Sequence, residues 1–105
     1  MDRFEDRVYR CCEIVASHFV DMDEVKRNTE LYVDEYDMAV AILSGCLIEC
    51  IQKEVDNFNL DTARGLLYCT ASQMTCAEEP DEKDFDGCAQ MLVTVFERGV
   101  KELGR

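Results

Sequence analysis

Apolar residues recur at steps of three and four over long stretches of the chain, with a single proline, Pro80, and only five glycines to break them. That spacing follows the 3.6-residue turn of an α-helix and gathers apolar side chains on one face. No run alternates cleanly at the two-residue period of a half-buried strand, and neither a hairpin signal nor an internal repeat is present. The chain reads as all-α.

Four helices are predicted. The first spans about Asp2 to Phe19, with Phe4, Val8, Cys11, Cys12, Val15 and Phe19 on one face. The polar stretch Asp21 to Asn28 is a connection. A long second helix covers about Thr29 to Phe58, with a stripe of Tyr36, Val40, Leu43, Leu47, Cys50 or Ile51, Val55 and Phe58. If Asp34 caps it, residues 29–33 form a separate turn. Asp61 is the expected N-cap of the third helix, which runs to about Ala77 and buries Ala63, Leu66, Leu67, Thr70 and Met74. The fourth covers about Phe85 to Leu103, turning Cys88, Leu92, Val95, Phe96 and Leu103 inward, with Gly104 as its stop. In 105 residues, four helices on short links predict an antiparallel four-helix bundle and one domain over residues 1–105.

Charge is distributed unevenly. Eleven basic residues stand against twenty-three acidic ones, a net charge of -12. Seven acids (Asp21, Asp23, Glu24, Glu30, Asp34, Glu35, Asp37) against Lys26 and Arg27 give the segment 21–37 a charge of -5. Six more (Glu78, Glu79, Asp81, Glu82, Asp84, Asp86) against Lys83 give the segment 78–86 the same. In an up-down bundle these two connections share one end, where like charges repel until a partner neutralises them. The expected partner is a basic surface on a larger protein, contacted by Asp21, Asp23, Glu24, Glu30, Asp34, Glu35, Glu78, Glu79, Asp81, Glu82, Asp84 and Asp86. The competing explanation is plain solvation of acidic loops.

Such a balance excludes ordinary nucleic-acid binding, which needs a basic face, and disfavours docking on an anionic membrane. The most apolar segment, Met38 to Ile48, is about half the length a membrane-spanning helix requires. The opening residues mix charged and apolar side chains without the apolar run of a secretory signal, so a cytoplasmic protein is expected. In that compartment the seven cysteines behave mainly as small buried hydrophobes.

Catalytic signatures are missing. His18 is the only histidine, no cysteine sits in a nucleophile motif, and no phosphate loop or metallohydrolase helix occurs. Cys46 with Cys50, and Cys69 with Cys76, fall on shared helix faces but lack the close pairs of a zinc site. The stretch from Glu82 to Gly87 imitates half of a calcium loop. Its twelfth position is Val93, where a bidentate glutamate is required, so capping by Asp84 or Asp86 explains the pattern better. No cofactor or metal is expected.

Ala39, Ala41, Ser44 and Gly45 are small residues that would let another helix approach, within the bundle or across a two-fold axis. Ile42, Cys46 and Ile48 fall off the main stripe, which tilts the expectation toward a homodimer. The leading expectation is a non-enzymatic acidic interaction protein that blocks or adapts a basic, nucleic-acid-binding type of site, as small phage-encoded inhibitors do. The alternatives are a thiol- or metal-based sensor built on the clustered cysteines, and an immunity- or antitoxin-like neutraliser.

Overall fold

The computed structural model describes residues 4–18, 27, 29–73 and 82–103, and for 29–36 and 82–83 the backbone alone. Among them are four helices and no strand: α1 (Phe4–Ser17), α2 (Thr29–Gln52), α3 (Leu60–Ser72) and α4 (Glu82–Glu102). The helices α2 and α4 each pack against the other three, whereas α1 and α3 share at most marginal contact. The radius of gyration, 13.7 Å, suits one compact unit of this length.

The apolar stripe of α1 buries Val8, Cys12, Val15 and Ala16, with Phe4 and Cys11 half-buried beside them. Glu5 and Asp6 occupy its first turn, where carboxylates favour the positive end of the helix dipole. The helix ends at Ser17, whose hydroxyl donates back to the Ile14 carbonyl at 2.6 Å. The expected Phe19 terminus lies outside the described residues.

Helix α2 is continuous from Thr29, so residues 29–33 belong to it and Asp34 is not its cap. It stops at Gln52, six residues before the expected Phe58. The amide of Val55 donates to the Cys50 carbonyl and that of Glu54 to the Ile51 carbonyl, both at 3.1 Å. These two bonds are a Schellman closure, with Glu54 in the left-handed region at φ 48°. Val55, predicted inward, is 39% exposed as a result, while Phe58 reaches the core from the loop and stacks on Phe96 with ring centroids 4.5 Å apart.

Asn59, not Asp61, caps α3. Its side chain accepts from the Thr62 amide at 3.1 Å, and the Thr62 hydroxyl donates to the Asn57 carbonyl at 2.8 Å. Asp61 falls inside the first turn instead. The helix closes at Ser72, short of Ala77, and buries Ala63, Leu67 and Thr70. Met74 lies outside the described residues.

Helix α4 begins three residues before Phe85 and buries Phe85, Cys88, Ala89, Leu92, Val95 and Phe96. Leu103, expected inward, follows the helix and is 45% exposed. Two buried hydroxyls are satisfied locally: Ser44 donates to Val40 at 2.7 Å and Thr70 to Leu66 at 2.8 Å.

Gly99 marks the tightest junction. A Cβ there would stand 2.6 Å from Phe4 Cζ of α1, and 2.7 Å and 3.0 Å from Ile51 Cδ1 and Cγ2 of α2. At Gly45, by contrast, nothing lies within 4 Å of that position. Chemical denaturation separates the two. Gly45→Ala is expected to stabilise by about 0.5–1 kcal/mol through helix propensity. Gly99→Ala is expected to destabilise by about 1–2 kcal/mol, because overpacking outweighs the same propensity gain. Equal effects of the two substitutions would contradict the close approach.

Candidate functional site

The two acidic segments enter the fold at the starts of α2 and α4. Glu30, Asp34 and Glu35 belong to the first two turns of α2, and Glu82 to the first turn of α4, as backbone positions. Asp21, Asp23, Glu24, Glu78, Glu79 and Asp81 lie outside the described residues. Asp84 and Asp86 sit inside α4, so neither is its cap. Asp84 is exposed, as is Asp37 on α2.

Asp86 has an internal partner. Arg64 of α3 donates to its Oδ1 through Nε at 2.9 Å and through a terminal nitrogen at 2.6 Å. Arg64 also stands 3.6 Å from Asp61. This ion pair joins α3 to α4 next to Tyr68 and Phe85, whose rings are 4.6 Å apart. Of the two residues of the set whose side chains are described, Asp84 and Asp86, Asp86 is the one paired with a base.

Basic side chains gather elsewhere. Arg7 pairs with Glu102, tying the start of α1 to the end of α4, and Lys53 pairs with Glu49 at 2.7 Å within α2 and its terminus. Arg98 and Lys101 lie on the last turns of α4. No base faces Asp84 at ion-pair distance among the described residues.

The cysteines divide by burial. Cys12 and Cys88 are buried, Cys11 and Cys50 half-buried, and Cys46 and Cys69 exposed; Cys76 lies outside the described residues. Burial pushes the Cys12 thiol up to about 12, with the neighbouring Cys11 adding to it. Burial, then Cys46 and Glu49, raises Cys50, and burial with Asp84 raises Cys88. A thiol held protonated is a weak nucleophile and a weak metal ligand. Among the described residues no three His, Cys, Asp or Glu side chains are grouped to hold a metal ion. No described helix is long and apolar enough to cross a membrane.

The small residues of α2 part company. Ala39 and Ser44 are buried in the core, whereas Ala41 and Gly45 are exposed, alongside Cys46 and the 44% exposed Met38. Ile42 and Ile48 are half-buried. Compared with known proteins, the chain matches no family model, no curated protein and no solved structure.

The thiols set a pH dependence. A thiol ionises near 9.0 in the unfolded chain, while Cys12 in the fold holds its proton to about 12. The folded state thus binds the extra proton above pH 9. Its stabilising contribution is complete below that value and is lost progressively as pH rises toward 12. Between pH 8 and pH 10 the unfolding free energy is expected to fall by about 1.4 kcal/mol from Cys12 alone. Denaturant melts of wild type and Cys12→Ala check it. A slope with pH that is identical in the two proteins would contradict the assignment.

Proposed function

We propose that this chain is a non-enzymatic acidic interaction protein, whose helices form an antiparallel up-down bundle with both acidic segments at one end. That end binds a basic surface on a larger protein partner in the cytoplasm and blocks or adapts it.

Five contacts support the up-down arrangement. Ile51, near the end of α2, meets Gly99, near the end of α4, as parallel second and fourth helices would. Phe4 and Arg7, at the start of α1, meet Gly99 and Glu102, as an α1 opposed to α4 would. In α3, Tyr68 meets Phe85, while Phe58, just before the helix, meets Phe96, the order an antiparallel pair would give. At 1.5 Å per residue, α2 and α4 extend about 36 Å and about 32 Å from their shared end. On this reading their starts lie near one another at the far end of the molecule.

The observation that carries the functional reading is this charge placement. The segments 21–37 and 78–86 supply -10 of the net -12, and each runs into a helix start. Carboxylates at a helix start are favoured by the dipole, but two such clusters side by side repel. A cationic partner relieves that repulsion. Asp86 takes less part in this than the others, because Arg64 already neutralises it.

Charge reversal tests the reading. Glu79→Lys, Asp81→Lys and Glu82→Lys combined are expected to abolish capture of the native partner in affinity purification, with helical content unchanged by circular dichroism. Wild-type binding is expected to weaken steeply with added salt. Undiminished capture by the triple variant, or affinity indifferent to salt, would contradict the acidic end as the binding surface.

The same reading gives the open strip of α2 to a second copy. Residues 38–48 carry no charge, so two copies meet there without opposing their acidic ends. Sedimentation of wild type as a dimer and of Ala41→Glu as a monomer is the expected result. A monomeric wild type at the same concentration would remove the homodimer.

A further inference from the structure

The groove between the first half of α1 and the last turns of α4 holds a hollow of about 80 Å³ that opens to solvent. Its floor is apolar: Val8 and Val95 are buried there, and the half-buried ring of Phe4 forms one wall. Its rim is cationic, with Arg7 on α1 and Arg98 on α4.

The two guanidiniums differ. Arg7 is engaged by Glu102, which also lines the groove, whereas Arg98 forms no ion pair among the described residues. In a chain with eleven bases and twenty-three acids, an unmatched arginine above an apolar hollow is the arrangement that selects an anion with a hydrophobic body. The body is drawn in by displacement of water from apolar walls. The carboxylate is held by a charge-assisted, fork-shaped hydrogen bond that an ammonium or a neutral amide does not make.

We propose that this groove is a binding site for a small monocarboxylate carrying a compact apolar group, the size of one aromatic ring or a short acyl chain. Arg98 receives the carboxylate, and Val8, Val95 and Phe4 receive the apolar group. The site stands at the end of the molecule where Phe4 meets Gly99, and does not depend on the partner-binding reading above.

Cys11 gives the test a built-in reporter. It lines the groove, while Cys46 and Cys69 are exposed and outside it. Full-length protein is alkylated with iodoacetamide in the presence of benzoate, benzamide or acetate, and each cysteine is followed by mass spectrometry. Benzoate at ten times its dissociation constant is expected to slow Cys11 roughly tenfold, with Cys46 and Cys69 unaffected. Benzamide, which lacks the charge, and acetate, which lacks the ring, are expected to protect far less at the same concentration. Arg98→Ala is expected to weaken benzoate about tenfold with helical content retained. Amide NMR shifts at Phe4, Val8 and Val95 provide a readout independent of thiol reactivity, and are expected to saturate together with protection. Equal protection by benzamide, equal slowing of all three thiols, or no amide shift in the groove at millimolar benzoate would overturn the proposal.

Discussion

The fold hangs on the absence of a side chain at Gly99. There the ring of Phe4 and the branched side chain of Ile51 both come closer to α4 than a methyl group would allow. The contact brings together the start of α1 and the ends of α2 and α4, and the Arg7–Glu102 ion pair lies on the same end. A glycine inside a helix costs about 1 kcal/mol relative to alanine. Here that cost is offset by dispersion contacts among three helices that a Cβ would hold apart. Elsewhere along its buried face α4 is fastened by aromatic pairs, Phe58 on Phe96 and Tyr68 on Phe85, and beside them by Arg64 on Asp86.

Much of this was legible because amphipathic periodicity is a direct record of which face is buried. The stripe Val8, Cys12, Val15 and the stripe Val40, Leu43, Leu47, Ile51 are core residues as their spacing implied. Helix ends were harder, since they are set by backbone hydrogen bonds with weak sequence signals. No glycine marks the end of α2, because Glu54 adopts the left-handed conformation that glycine usually supplies. Asp61 looked like a cap, yet Asn59 had the same chemistry two residues earlier and the Thr62 hydroxyl to reinforce it. Glycine itself misled: Gly45 drew attention among small apolar neighbours but faces open space, while Gly99 carries the close packing. Which of two helical glycines meets a neighbour is a tertiary fact that no local pattern encodes.

The charged residues tell the same story at the level of the site. Their positions along the chain were readable, but not their matching across it. Twenty-two residues separate Arg64 from Asp86, and only the packing of α3 on α4 turns that separation into an ion pair. Asp84, two residues away and roughly opposite it around the same helix, remains exposed. The proposed docking role therefore rests on the acidic residues other than Asp86. Carboxylates at the starts of α2 and α4 are favoured there by the helix dipoles.

That role stands on the starts of α2 and α4 being neighbours. Paramagnetic relaxation of backbone amides by a cationic and an anionic nitroxide cosolute, compared at low salt, measures the local potential residue by residue. The account predicts strongly negative potential at amides 30–35 and a clear rise there when Asp84→Lys is introduced on α4, because it places the two sites within one Debye length of each other. Unchanged potential at amides 30–35 in that variant would mean that the two acidic clusters are far apart, and would contradict the account at its centre.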